Sequence, residues 1–152
     1  YSGKYGDAYT LWGTSMAESK DPLKDNDALT RTMWQRLTAS AETFNEPGKF
    51  TALIGFEWTS SPGGNNLHRN VIFRDGKDRA DQILPISNYD TNDPEDLWKW
   101  MSDYEKDTGG KALAIPHNGN LSNGLMFDDV TFTRKKLSRT YAEQRRRWEP
   151  IY

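Results

Sequence analysis

The feature that most constrains the fold is a succession of short apolar segments separated by polar loops and one capped helix. "FTALIGFEW" (residues 50–58), "LHRNVIFR" (67–74) and "KALAIP" (111–116) are apolar and partly β-branched or aromatic, with turn residues at their ends. Segments of this length and composition predict buried strands. A helix between short buried strands is typical of an α/β layer or barrel with parallel strands.

The clearest predicted helix precedes the last of these strands, in "NDPEDLWKWMSDYEKDTGG". Asp93 can cap its N-terminus, Pro94 suits the first helical position, and Gly109 or Gly110 can end it in the left-handed conformation. We expect the first and third strands to share one sheet, with this helix packed on its face. The residues expected to make that contact are Leu97, Met101 and Tyr104.

Two more helices and one loop are predicted elsewhere. A helix should begin at Asn26 or Asp25 and end at "NEPG" (45–48), and another should run from about Arg134 to Trp148. The first of these carries an apolar stripe at helical spacing, formed by Leu29, Met33, Leu37 and Ala41. Residues 1–26 are rich in Gly, Ser, Asp and Lys and predict a loop.

The composition excludes several classes of protein and site. Aromatic residues make up 12% of the chain, which argues against disorder, and a net charge of −2 with mixed signs gives no general basic field for nucleic acid. The absence of cysteine excludes disulfides and thiolate metal sites. No run approaches the ~18 apolar residues of a membrane span, and nothing resembles a signal peptide.

The length of 152 residues corresponds to about one domain. The chain starts at Tyr1 without a methionine and stops at Tyr152, just after a predicted helix. We therefore expect residues 1–152 to form a single partial domain cut from a longer polypeptide.

The main functional signal is the position of the only two histidines. Glu57 ends the first predicted strand, His68 opens the second, and His117 follows the third. Carboxylate and imidazole together suit Zn²⁺, Mn²⁺ or Fe²⁺. His68 reaches the rim occupied by the other two only if its strand runs antiparallel or its preceding loop folds across the mouth. The alternative is that these are an ordinary solvated glutamate and hydrogen-bonded structural histidines.

Residues next to these three extend the candidate site. Arg69 follows His68, and its guanidinium can bind an anionic group bidentately, although a surface cation is the simpler interpretation. Asn66, Asn118 and Asn120 are candidates for orienting ligands or substrate. We therefore predict that all four residues belong to a substrate-binding part of the site.

Several long blocks in this chain resemble one bacterial family, the domain of unknown function 3604 family. They are "FTALIGFEWTSSPGGNNLHRNVIFRDG", "LPISNYDTNDPEDLWKWM", "GGKALAIPHNGNLSNGLMF" and the ending "YAEQRRRWEPIY", and they cover roughly residues 40–152. That family in turn is similar to the polymerase-and-histidinol-phosphatase superfamily of metal-dependent phosphoesterases. The resemblance implies an α/β fold, part of a distorted (β/α)₇ TIM-like barrel with two or three metal ions at its mouth.

The resemblance also implies roles for individual residues. Glu57 in "IGFEW" matches a metal-bridging glutamate, and His68 is the candidate for a later metal-binding histidine. His117 matches a histidine at an apolar strand exit, although here proline precedes the histidine rather than following it. Glu57, His68 and His117 would then be metal ligands, with catalytic roles for Glu57 and His117. They should converge on one cluster.

Two motifs of the superfamily, an opening His-x-His and a closing Asp-x-His, are missing from these residues. We therefore expect the remaining ligands to come from other parts of the same polypeptide or from other chains, and this segment alone to be inactive. The implied function is hydrolysis of a small-molecule phosphate or related ester by metal-activated water. A periplasmic or secreted location follows from the family resemblance only.

The alternative function is a carbohydrate-binding or structural segment without a catalytic role. The six tryptophans suit such a module if their rings are exposed. Trp34, Trp98, Trp100 and Trp148 fall in predicted helices, where burial is the default. Placement of these rings therefore discriminates the two hypotheses.

Overall fold

A small antiparallel sheet forms the centre of the structure, a computed structural model that describes residues 3–18 and 20–151. Its strands are β1 (Gly55–Trp58), β2 (Arg69–Phe73) and β3 (Ala112–Pro116), in the order β1-β2-β3. β2 pairs antiparallel with both neighbours, so β1 and β3 run in the same direction on either side of it. The predicted strands are all present, each shorter than its apolar segment.

The predicted barrel with parallel strands is wrong. The described residues form an open three-stranded antiparallel sheet with helices around it and no barrel, so they are not part of a (β/α)₇ TIM-like fold. A parallel return from β1 to β2 would need a crossover of about a dozen residues or more, usually helical. Residues 59–68 contain only a 3₁₀ turn at Pro62–Gly64, and so the chain returns antiparallel.

Five α-helices accompany the sheet within the described ranges. They are α1 (Tyr5–Glu18), α2 (Asp27–Phe44), α3 (Lys77–Ala80), α4 (Pro94–Thr108) and α5 (Arg139–Trp148). Further 3₁₀ turns lie at Gly119–Leu121 and Leu125–Phe127. None of the helices in this part of the chain has the length and apolar character needed to cross a membrane.

The prediction of a loop over residues 1–26 is wrong for the stretch that forms α1. The glycines that indicated a loop, Gly6 and Gly13, lie at open positions of this exposed helix, where glycine costs only about 1 kcal/mol. α1 is held to the rest of the chain by a hydrogen bond of 2.8 Å between Ser15 Oγ and the Tyr89 hydroxyl. Residues 1, 2 and 19 lie outside the described residues.

The predicted caps of α2 and α4 are confirmed. Asn26 caps α2 by accepting from the backbone N–H of Leu29 at 3.1 Å, and Asp93 caps α4 by accepting from Glu95 at 2.9 Å. Gly109 ends α4 with a φ of 68°. α5 begins later than predicted because Arg134, with a φ of 63°, belongs to a tight turn rather than to the helix.

The core lies between one face of the sheet and α4. Trp58, Val71 and Phe73 are fully buried on that face, and Phe73 packs edge-on against Tyr104 with ring centroids 4.9 Å apart. Leu97 and Met101 of α4 are fully buried as well. The predictions that β1 and β3 share a sheet and that α4 packs on it are confirmed.

A buried ion pair fastens the end of α5 to the same core. The Glu149 carboxylate, 1% exposed, accepts hydrogen bonds from Arg69 Nε at 3.0 Å and Trp98 Nε1 at 2.9 Å. Arg145 Nε lies 3.2 Å from its other oxygen. One carboxylate therefore links β2, α4 and α5.

Candidate metal centre

Three strand ends meet at one rim of the sheet, and each carries one of the predicted ligands. Glu57 lies near the end of β1, His68 directly precedes β2, and His117 directly follows β3. Because β2 runs against both neighbours, its start lies beside their ends. A backbone hydrogen bond of 3.3 Å from His117 N to His68 O extends the pairing past β3 and aligns the two histidines.

The three side chains converge on a small space. Glu57 Oε1 lies 2.8 Å from His68 Nδ1 and 3.2 Å from His117 Nε2. One ligand atom from each residue lies within 4.8 Å of the other two. The imidazole rings face each other edge-on, with centroids 5.8 Å apart. The geometry thus gathers one carboxylate oxygen and two imidazole nitrogens around a single point.

The cluster is partly open to solvent on the carboxylate side. The Glu57 side chain is 45% exposed, whereas those of His68 and His117 are 16% and 27% exposed. His117 Nε2 is itself buried and forms no hydrogen bond among the described residues. Glu57 Oε1 lies 3.2 Å from this nitrogen, but not in the direction that a hydrogen bond requires.

This nitrogen tests whether the site fits a metal ion. A buried imidazole nitrogen without a hydrogen bond is unusual, and a metal ion would use its lone pair. Two nitrogens and a carboxylate oxygen form a donor set that Zn²⁺, Mn²⁺ and Fe²⁺ accept. The residues present therefore fit a divalent ion of this class.

Two loops hold His68 in place. Its backbone N–H donates to Asn66 Oδ1 at 3.0 Å, and its Nε2 lies 2.9 Å from Ser61 Oγ. Asn66 N in turn donates to Leu121 O at 3.0 Å, which joins the loop after β1 to the loop after β3. The ring of His68 is thus engaged at both nitrogens.

The four predicted substrate-binding residues occupy different environments. Asn118 and Asn120 are exposed beside His117, and Asn118 adopts the left-handed conformation with a φ of 55°. Asn66 is buried, and its side chain supports His68 as described above. Arg69 does not join the cluster: it points to the core, is 1% exposed and pairs with Glu149.

Burial sets the electrostatics of Arg69. Desolvation lowers the pKa of its guanidinium, and this effect outweighs the opposing effect of the adjacent Glu149 carboxylate. The arginine is also satisfied locally, since it donates to Leu67 O as well as to Glu149. Its contacts are those of a structural residue.

Sequence reasoning missed Ser61 and Glu149. Ser61 stands in a polar, glycine-rich stretch where its type carries no specific signal, and only the folded loop brings it to His68. Glu149 closely follows a run of arginines at the end of α5, and such a charged run is typical of an exposed helix end. No local pattern distinguishes either residue from its neighbours.

Comparison with known proteins gives one match. A family model described as "Protein of unknown function (DUF3604)" matches residues 7–152. No curated protein and no solved structure matches the chain.

Proposed function

This chain belongs to the DUF3604 family of proteins of unknown function. From the geometry of the site and from the resemblance of that family to metal-dependent phosphoesterases, we propose metal-dependent hydrolysis of a phosphate or related ester. Glu57, His68 and His117 would hold a divalent Zn²⁺, Mn²⁺ or Fe²⁺ ion. The observation that carries the proposal is the convergence of these side chains to within 4.8 Å, from three strands far apart in sequence.

The roles of the residues follow from their positions. Glu57 Oε1 lies between the two imidazoles, so its negative charge offsets the charge of a cation held there. When bound, a divalent ion supplies Lewis-acid polarisation of an ester oxygen and lowers the pKa of a coordinated water molecule towards ~7. His68 and His117 would each serve as neutral ligands, and the exposed side of Glu57 leaves an approach for substrate.

The exposed asparagines complete the proposed site. Asn118 and Asn120 lie next to His117 and are accessible to solvent, so their carboxamides are available to hydrogen-bond ester oxygens. Arg69 has no part in substrate binding in this proposal, because its guanidinium is buried against Glu149.

The class of reaction rests on a wider resemblance. The superfamily of polymerase and histidinol phosphatases, which the family resembles, consists of metal-dependent phosphoesterases. That resemblance would add a second or third ion, with ligands from other parts of the polypeptide or from other chains. A donor set of two imidazoles and one carboxylate is compatible with such completion, since structural and catalytic zinc sites take at least one further ligand.

The alternative, a carbohydrate-binding or structural segment, has less support. Trp12 is 41% exposed, but Trp34, Trp58, Trp98 and Trp148 are at most 5% exposed and Trp100 packs half-buried against the core, so the ring faces of these five are not available to stack on sugars. Their aromatic surface is used in the core.

Metal titration tests the proposal most directly. We expect calorimetry to detect binding of Zn²⁺ or Mn²⁺ to the chain, and His117→Ala to weaken it by at least the ~10–100-fold that loss of an outer-shell partner costs. Asn70→Ala is the matched control, because Asn70 faces Glu57 across the sheet register and is exposed without being a candidate ligand. Equal binding by His117→Ala and the parent chain would refute the metal centre.

Activity tests the ester class. The complete polypeptide should hydrolyse nitrophenyl esters, lose that activity with a chelator and regain it with added metal. Parallel assays with phosphate monoester, phosphate diester, sulfate and acetate esters would rank the substrates. Hydrolysis that persists unchanged after complete removal of metal would contradict the proposed mechanism.

A further inference from the structure

The hydroxyl of Ser61 lies on the opposite side of the His68 ring from Glu57. Ser61 Oγ is 2.9 Å from His68 Nε2, and Glu57 Oε1 is 2.8 Å from His68 Nδ1. His68 therefore stands between a hydroxyl and a carboxylate, while His117 Nε2 lies 3.2 Å from the same carboxylate oxygen.

Which ring nitrogen of His68 carries the proton depends on whether a metal ion occupies the space between the three side chains. A neutral imidazole has one N–H and one lone pair. Without a cation, Nδ1–H donates to Glu57 and Nε2 accepts from the Ser61 hydroxyl. With a metal ion on Nδ1, the proton must sit on Nε2, which then donates to Ser61 Oγ. A hydroxyl serves in both states because it is both donor and acceptor.

We propose that Ser61 is a positioning residue, which holds the His68 ring with Nδ1 toward the cluster and accepts a hydrogen bond from Nε2–H when metal binds. This inference rests on the proposed metal centre. Hydrogen bonds from the second nitrogen of a ligating histidine orient the ring and fix its tautomer. Ser61 supplies that bond here.

The loop that carries Ser61 is shaped to keep it there. Leu67 N donates to Ser60 O at 2.9 Å and closes the loop at its base, and Gly64 N donates to Ser61 O at 3.0 Å. Gly63 and Gly64 have φ values of 60° and 82°, in the left-handed region that favours glycine. The hydroxyl is thus presented to His68 by a loop of defined backbone conformation.

Serine, histidine and glutamate in a row also occur in nucleophilic hydrolases, and that interpretation is weaker here. The carboxylate of such a triad is buried and serves its histidine alone. Glu57 is 45% exposed and shares the same oxygen with His117 at 3.2 Å. The sharing favours a cation between the three side chains over a proton relay to Ser61.

The test compares Ser61→Thr with Ser61→Val, side chains of the same shape that differ in the hydroxyl. Zn²⁺ affinity, measured by competition with a chromophoric chelator, should stay within about threefold of the parent for Thr and fall by about 10–100-fold for Val. Ser61→Ala provides a smaller variant without the hydroxyl, for which we expect the same loss as for Val. Urea unfolding of each variant confirms that the fold is retained.

Nitrogen NMR supplies a readout that a general packing effect would not move. In the zinc-loaded parent chain the proton of His68 should reside on Nε2 and exchange slowly, and in Ser61→Val its signal should broaden or vanish. Equal zinc affinity for Thr, Val and Ala variants would overturn the role of Ser61 while leaving the metal centre intact. Failure of the parent chain to bind zinc would overturn both.

A fluorophosphonate probe distinguishes the competing chemistry. Metal-free protein treated with the probe should show no adduct on Ser61 by mass spectrometry. A stoichiometric adduct that is lost in His68→Ala would assign Ser61 as a nucleophile and overturn the positioning role.

Discussion

Removing the Glu149 carboxylate should destabilise the fold strongly, because it would leave a buried guanidinium without its counter-charge. Arg69 is 1% exposed, and Glu149 holds its Nε at 3.0 Å. The same carboxylate oxygen accepts from Trp98 Nε1 at 2.9 Å. Glu149→Ala therefore leaves the buried guanidinium of Arg69 and the buried indole N–H of Trp98 without this partner in a single change.

The expected magnitude follows from these contacts. Breaking a buried ion pair by deleting one partner costs about 3–5 kcal/mol. Loss of the acceptor for the indole N–H costs about 1–3 kcal/mol when counted alone, but the two losses share one carboxylate and do not add fully. We expect Glu149→Ala to lower the free energy of unfolding by about 3–5 kcal/mol, a large share of the ~5–15 kcal/mol typical of a domain.

Urea unfolding followed by tryptophan fluorescence measures this loss, since Trp58, Trp98 and Trp148 are buried and report on the core. Glu143→Ala is the matched control on the same helix. Its carboxylate pairs with Arg139 at the surface, where the two side chains are 59% and 92% exposed. That control should change the free energy of unfolding by no more than about 1 kcal/mol.

A double variant separates charge burial from packing. Arg69→Met with Glu149→Leu removes both charges, and replacement of a buried pair by apolar side chains is often neutral or stabilising by about 1–4 kcal/mol. We expect the double variant to recover most of the stability lost in Glu149→Ala and to keep the parent affinity for zinc. A Glu149→Ala variant within about 1 kcal/mol of the parent would refute the reasoning, and loss of zinc binding in the stable double variant would return Arg69 to the functional site.

Three further predictions concern the sheet and its rim. Gly55→Ala should lower the free energy of unfolding by about 1–3 kcal/mol, because a Cβ at this position would lie 2.6 Å from a backbone carbonyl oxygen of β2; an unchanged urea midpoint would contradict it. Asn66→Ala should weaken zinc binding by about 10–100-fold without removing a ligand, because Asn66 Oδ1 holds the backbone N–H of His68 at 3.0 Å; parent-like titrations would count against this support. Burial raises the pKa of Asp75, but hydrogen bonds from the Arg74 side chain and from the Lys111 backbone N–H lower it by more. The net pKa of Asp75 is therefore below the ordinary aspartate value of 3.8. Its folded pKa is thus depressed, so its contribution to stability is present above pH 3.8 and is lost as the pH falls through the folded value; Asp75→Asn should flatten the acid limb of the stability profile, and an identical profile would contradict this.

Elements set by local chemistry were predictable from the sequence. The ends of α4 follow from Asp93, Pro94 and Gly109, whose cap geometries require no tertiary information. The three apolar segments form strands for a similarly local reason. Glu57 and His117 could be placed at strand exits because the polar residues after each segment mark where the strand ends.

Strand direction and side-chain partners depended on contacts that the local pattern does not contain. The parallel arrangement was inferred from the helix between strands, although the short connection before β2 favours a hairpin-like return. The apolar stripe of α2 illustrates the same limit: Leu29, Met33 and Leu37 are 42%, 53% and 45% exposed, while α2 buries Trp34 and Thr38 instead. Those two residues are selected by hydrogen bonds to Ala80 and Asp81 near α3.

The side chains of His68 and Arg69 point to opposite faces of the sheet, since successive residues of a strand alternate between its two sides. His68 contacts Glu57 at the rim, and Arg69 contacts Glu149 in the core. A slip of β2 by one residue would exchange them, with a guanidinium brought into the cluster and an imidazole brought into the core. The core position of Arg69 therefore favours the one register of β2 that also places His68 at the rim, and a change that leaves Arg69 buried without its carboxylate, such as Glu149→Ala, should weaken zinc binding through the alignment of β2.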